Sequence, residues 1–412
     1  MRSSGPAWGQ AVLFDGEIQI TFDINQSDFL EDAANALQEV GLLGKAPKGV
    51  GFTHAILNPP YRKINTNSSA RKLLRQVGLE TSNLYAGFMW LSAQLLSSNG
   101  QLVSINPRSF CNGPYFLPFR KKFFSEMELE RVHVFNRRDA VFSKDAILQE
   151  NLILSARRSR TKKSFVALSH SDGTLGSTVR TRNVPCERII VPSDANQMLH
   201  FSLDESDDVV RLRMEEMPAL LEELGLRVST GRVVDFRARS FLRDNPEKGT
   251  VPLIYPMHFN GGGVHWPCPD SKKANALVAS QETQDLLVAN GVYVLVKRFT
   301  AKEERKRIVA TVFSPKGELV NFDSIGFENH LNYFYARTKP LDDALAWGLA
   351  IYLNSTLVDS YFRQFSGHTQ VNATDLRNLR YPTLKQLRSL SRSMKTRTFD
   401  QSAVDRSVAA TL

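Results

Sequence analysis

The chain has 412 residues, 42% hydrophobic and 23% charged, with a formal net charge of +10 and a sequence pI of about 9.5. This composition excludes a disordered or fibrous protein and allows two or three domains with sizeable cores, while the cation excess favours a polyanionic partner. No apolar run nears the roughly 20 residues that cross a bilayer, Met1-Arg2-Ser3-Ser4 opens no signal peptide, and Cys111, Cys186 and Cys268 form no CxxC pair. A membrane protein, a disulfide framework and a zinc site are therefore set aside, and a cytoplasmic location is expected.

In chain order, residues 19–23 read as a short strand and 29–40 as a helix whose start, Ser27-Asp28, suits an N-cap. The apolar run Thr53-His54-Ala55-Ile56-Leu57 reads as a buried strand. A helix over 84–97 carries Leu84, Phe88, Leu91 and Leu95 at helical spacing, with Asn99-Gly100 as its C-cap. Residues 101–105 form the next strand, breaking at Asn106-Pro107. A helix over 117–127 and strands over 131–135 and 151–155 follow. Such alternation predicts a parallel α/β sheet with helices on both faces, the last two strands supplying an antiparallel edge. After about residue 156 the sequence turns to Arg157-Arg158-Ser159-Arg160-Thr161-Lys162-Lys163, which suggests a domain boundary. Beyond it, short strands near 251–255 and 292–296 and a helix near 341–354 mix irregularly, as in an α+β domain. Residues after 386, rich in Ser, Arg and Thr, suggest a frayed tail.

The residues that carry chemistry follow the strand ending at Leu57: Asn58-Pro59-Pro60-Tyr61. In an open α/β sheet, ligands bind at the carboxyl ends of strands. Each proline fixes φ and removes an N–H, and Asn58 is pushed out of the α region, so the corner is stiff and offers mainly acceptors. An exocyclic amine can give one hydrogen to the Asn58 side-chain oxygen and the other to the Pro59 carbonyl while the Tyr61 ring stacks on its heterocycle. Drawing both hydrogens away localises the nitrogen lone pair and makes it a nucleophile without an acidic base. A tight Pro-Pro turn with an Asn cap is the competing reading.

This corner resembles motif IV of the amino-methyltransferases, in the spelling used by adenine-N6 DNA methyltransferases and by some RNA and protein-glutamine methyltransferases. With the runs Leu353-Asn354-Ser355-Thr356 and Gly367-His368-Thr369-Gln370-Val371-Asn372, the chain is similar over most of 15–385 to the TaqI-like gamma class, the PstI and BsuBI kind from type II restriction-modification systems. The resemblance implies S-adenosylmethionine as cofactor, with Asp28 accepting from its adenine amine, Phe29 packing on the ring and Asn58 nearby. Asp28 as a helix cap beside a core Phe29 stays open. It also implies a flipped target adenine held between Tyr61 and Phe142, with Phe135 competing for Phe142's role or Phe142 serving as core. Arg108 matches an element that closes the pocket and faces phosphate.

A departure is equally plain. The family's Gly-rich loop has no counterpart in residues 1–27, whose glycines are Gly5, Gly9 and Gly16. The expected fold class is thus a truncated Rossmann-like methyltransferase sheet over 1–165, missing its first strand and Gly-rich loop, then an α+β target-recognition domain over 166–385 and a flexible tail over 386–412. In the second domain Lys297, Arg298, Lys302 and Arg305, with His368 and Gln370, are the expected DNA contacts, against a salt-bridged helix in which Glu303 and Glu304 neutralise the cations. No metal site is expected. The expected function is site-specific adenine-N6 methylation of double-stranded DNA in a restriction-modification system. A cognate endonuclease and a partner chain supplying the missing cofactor loop are the expected partners. The alternatives are a catalytically silent DNA-binding remnant or specificity partner and, third, an RNA or protein-glutamine methyltransferase.

Overall fold

The computed structural model describes residues 8–15, 18–43, 51–136, 150–159, 161, 164–174, 176–337, 340–367, 369–394 and 397–412. The chain divides into two compact units, Met1–Phe110 with Tyr115–Arg188, and Cys111–Pro114 with Ile189–Leu412.

In the first unit, β1 (Trp8–Asp15) and β2 (Ile18–Asn25) pair antiparallel with each other, Trp8 opposite Asn25. The strand expected at 19–23 therefore belongs to a separate two-stranded sheet and not to the main one. Then come α1 (Phe29–Leu43), β3 (Phe52–Leu57), α2 (Ser69–Gln76), α3 (Leu84–Leu95), β4 (Leu96–Pro107), α4 (Leu117–Glu126), β5 (Met127–Phe135), β6 (Asn151–Arg158), β7 (Phe165–Ser171) and β8 (Arg180–Pro185). The main sheet has six strands in the order β3-β4-β6-β5-β7-β8. β3 runs parallel to β4 and β5 parallel to β7, but β6 enters between β4 and β5 antiparallel to both. The pair expected as an antiparallel edge, β5 and β6, is thus interior, and the antiparallel strand at the edge is β8, paired with β7. Leu152, Leu154 and Ala156 of β6 are almost fully buried, which an interior position provides.

β3 corrects a second expectation. It is the edge of the sheet, bonded on one side to β4, and Ile56 is 85% exposed. Apolar residue types announced a strand without announcing how many neighbours it would have. α3 also stops at Leu95, because Asn99, at φ 64°, lies inside β4 where its pairing with β3 jumps from Leu96 to Gln101. A Cβ on Gly100 would sit 2.9 Å from the Phe52 carbonyl oxygen, so this close approach needs glycine. Leu30 and Ala33 of α1, Leu74 of α2 and Leu84, Leu91 and Leu95 of α3 share one apolar core. Burying each leucine stabilises by about 1.5–3 kcal/mol. The sheet runs on through β7 and β8, so the first unit closes at Arg188, beyond the expected boundary at 165.

The second unit is α+β. A four-stranded antiparallel sheet has the order Leu226–Thr230, Leu331–Ala336, Tyr293–Lys297, Ala310–Phe313, and a five-stranded mixed sheet includes Thr250–Ile254 beside Ser324–Phe327. Helix Asp343–Leu353 is buried along nearly its whole length. The expected tail is instead two helices, Leu384–Ser393 and Gln401–Thr411, capped by Thr383 and Asp400. Leu387, Leu390, Val404 and Val408 dock them into the unit's core at helical spacing, a sparse stripe within polar sequence. Among the described residues no helix is long and apolar enough to cross a membrane, and no cluster of His, Cys, Asp and Glu could hold a metal.

Candidate active site

The corner after β3 is shaped by its prolines. Pro59 is buried, Asn58 and Pro60 are exposed, and Tyr61 is half-buried. The Tyr61 hydroxyl donates to the Ile105 carbonyl at 3.0 Å and lies 3.4 Å from Asn58 Oδ1. One phenol therefore joins the ends of β3 and β4. Burial pushes the Tyr61 pKa up to about 12, so the hydroxyl stays a donor at neutral pH. Asn58 keeps acceptor capacity toward solvent, because an amide oxygen has two lone pairs.

Beside the corner lies a cavity of about 670 Å³. Asp28 and Phe29 from the start of α1, Pro60 and Arg62 from the corner, Ser68 at the start of α2 and Phe88 of α3 line it. Asp28 is the cap of α1: its Oδ1 accepts from Leu30 N at 2.9 Å and more loosely from Glu31 N. Phe29 is half-buried against Phe88, ring centroids 4.9 Å apart. Capping and lining coexist, since Oδ1 serves the helix and the carboxylate remains exposed on the cavity wall. The structure thus brings Asp28, Phe29 and Pro60 together, whereas Asn58 and Tyr61 are not on this lining.

Tyr85, at the start of α3, was not singled out in the sequence. Its ring meets Tyr61 edge-on at 6.2 Å, tilts on Phe116 at 5.5 Å, and its hydroxyl lies 2.9 Å from Ser109 Oγ. It reads locally as one more apolar position of a buried helix, and only the fold reveals it as Tyr61's support. Arg108, expected to face phosphate, is buried: its guanidinium lies 3.5 Å from Glu150, both side chains 5% exposed. An arginine inside a closed ion pair has no reach to solvent. Phe135 packs on His133 at 4.8 Å. Phe142 lies outside the described residues.

In the second unit the cation-rich segment is a loop, not a helix. Lys297 is half-buried with its ammonium 5.8 Å from the Phe259 ring, Arg298 donates to the Asn329 carbonyl, and Lys302 is half-buried. Arg305 is exposed. Lys306 donates to the Asn354 carbonyl at 2.7 Å, and Arg307 is buried, its Nε donating to Thr300. Gln370 is bridged to Phe299 along the backbone, and His368 lies outside the described residues. The run Leu353-Asn354-Ser355-Thr356 is structural: Asn354 is buried and bonds both backbone groups of Ala310, and Ser355 caps helix Thr356–Phe365.

Known proteins resemble the chain throughout. The Eco57I restriction-modification methylase family matches residues 11–142. The type II methyltransferase M.PstI of Providencia stuartii is 43% identical over 93% of this chain and 74% of its own length. M.BsuBI of Bacillus subtilis is 44% identical over 92% of this chain and 75% of its own length. The solved structure of the type IIL restriction-modification enzyme MmeI in complex with DNA is 10% identical, with a TM-score of 0.49 over 82% of this chain, which spans about half (48%) of that one. On the strength of the first two relatives, the chain belongs to the type II methyltransferases of restriction-modification systems.

Proposed function

We propose that this chain methylates DNA site-specifically, transferring a methyl group from S-adenosylmethionine to the exocyclic N6 of an adenine flipped out of the duplex. The observation that carries the reading is the stiff corner with Asn58 open to solvent, one wall of its loop, at Pro60, continuing into the cavity of Asp28 and Phe29. That cavity's donor set suits the cofactor: a carboxylate for the adenine amine, two aromatic rings for the purine, and Arg62 and Lys63 for the methionine carboxylate. When bound, the cofactor supplies an electrophilic methyl on a sulfonium. Asn58 Oδ1 and the Pro59 carbonyl accept the two N6 hydrogens and orient the lone pair. Tyr61, tethered to Ile105, holds its ring against one face of the adenine, and Phe142 takes the other. Lys297, Arg298, Lys302, Arg305, His368 and Gln370 grip the duplex from the second unit, and a cognate endonuclease reads the same sequence.

The chain is incubated with duplex DNA and methyl-labelled cofactor, and the nucleosides are then separated. Label in N6-methyladenine is expected, and label in a cytosine product or in protein overturns the assignment. Salt-sensitive DNA binding without saturable cofactor binding by calorimetry supports the silent DNA-binding reading instead.

A further inference from the structure

Two exposed aromatic rings of the second unit stand on one support. Phe236 is 77% exposed and Phe299 is 40% exposed. Phe236 belongs to a turn whose neighbours are fixed. Val233, fully buried, receives from Asn329 N at 2.8 Å and donates to the Phe327 carbonyl at 3.1 Å. Asp235 accepts from the Tyr255 hydroxyl at 2.8 Å and from Lys273 Nζ at 2.6 Å, and Ala238 is buried. A Cβ on Gly231, at the base of the turn, would collide with the Glu328 backbone, so strand and turn are in direct contact. Phe299 is mounted on the same stretch, residues 327–330: Arg298 N donates to the His330 carbonyl at 2.8 Å, its guanidinium to Asn329 O at 3.1 Å, and the His330 ring lies 4.7 Å from Phe299.

Each ring also has an arginine beside it, Arg237 at 5.5 Å from Phe236 and Arg298 at 5.5 Å from Phe299. In sequence Arg232, Arg237 and Arg239 flank a single acid, Asp235, which Lys273 already neutralises; Arg243, further on, is paired with Glu247, and Arg232 donates to the Asp285 and Leu287 carbonyls. An aromatic held in water on a rigid mount loses little entropy when it stacks, and a cationic rim selects a polyanion whose bases are flat. We propose that Phe236 is a wedge that stacks on, or enters between, base pairs of the duplex held by this unit, with Phe299 as a second ring contact on the same support. The proposal rests on the DNA-methyltransferase reading and adds the residue through which this unit deforms the duplex.

The test compares the full chain with Phe236→Ala, Phe236→Trp and Arg237→Ala in duplex binding across a salt series. Phe236→Ala is expected to weaken binding about 10- to 100-fold with the salt slope unchanged, as for a lost base stack. Arg237→Ala is expected to lower the slope by about one. Phe236→Trp keeps the affinity, and its emission is quenched on adding duplex. Because Phe236 is exposed, thermal unfolding of the alanine variant matches the parent. Binding by Phe236→Ala within about twofold of the parent overturns the wedge, as does a loss of affinity without quenching in Phe236→Trp. If the unaltered chain fails to bind duplex DNA at all, the methyltransferase reading falls with it; a parent that binds while Phe236→Ala binds equally well removes the wedge alone.

Discussion

The corner after β3 and the loop between strands Tyr293–Lys297 and Ala310–Phe313 are both polar excursions from a sheet, and they use their polar groups in opposite ways. At the corner, two prolines hold the backbone, so Asn58 and Pro60 stay at the surface and a single phenol ties the corner down. In the loop no ring fixes the chain. Its own side chains hold it instead: Lys306 is tied to Asn354 O, Arg307 to Thr300, and Ala301 N to Glu304. Where covalent geometry fixes a segment, side chains are left for a ligand; where side chains fix it, part of its charge is spent on folding.

That contrast can be broken at several points. Asn58→Ala is expected to reduce methyl transfer by about 100- to 1,000-fold, the scale of losing one oriented polar group in an active site, with duplex affinity and thermal stability unchanged. A parallel fall in stability would make the corner structural like the loop. Arg307→Ala is expected to destabilise the protein by about 3 kcal/mol in denaturant unfolding, since a buried network loses its centre. An unaltered midpoint would mean that this buried network contributes nothing to stability. Arg305→Ala, two positions away and exposed, is expected to leave stability alone and lower the salt slope of DNA binding by about one. Lys306→Ala is the matched control, and an equal change in slope there would erase the difference between bound and free cations.

The smallest effect concerns pH. His258 is fully buried, its Nδ1 accepting from Tyr255 N and its Nε2 lying 3.0 Å from Asn275 Oδ1. Burial lowers its pKa, against the pull of the Asn275 side chain. The folded chain therefore holds this imidazole neutral while the unfolded chain protonates near 6.5. Its contribution to stability is intact above that value and is lost as pH falls through the depressed folded value. Thermal melts over that range should decline with acidification, and His258→Gln should flatten the decline while lowering the melting temperature at neutral pH.

Much of the local structure was legible from residue types. Helix α4 and strands β5 and β6 lie where periodicity put them, because each carries its own apolar pattern. The corner was legible because proline acts on its own backbone without consulting distant residues. Strand neighbours were not: that β6 slots between β4 and β5, or that β3 ends the sheet, depends on pairing across long stretches of chain. For the same reason the burial of Arg108 and Arg307 was not legible in the sequence. Their partners, Glu150 and Thr300, are identifiable only once the chain has folded. The C-terminal helices were hidden because their docking residues, Leu387, Leu390, Val404 and Val408 with Met394, Phe399 and Leu412 beside them, are scattered among Ser, Arg and Thr and meet a surface that is already greasy.

That surface has a practical meaning through Gly348. A methyl group there would overlap the carbonyl of Leu387, so helix Leu384–Ser393 rests on bare backbone of helix Asp343–Leu353. An expression fragment cut before Thr383 would strip this cover and leave an oily helix facing water, a recipe for inclusion bodies. Engineers trimming the chain should keep its final thirty or so residues, and any alanine scan should expect its worst surprise at a position that has no side chain to remove.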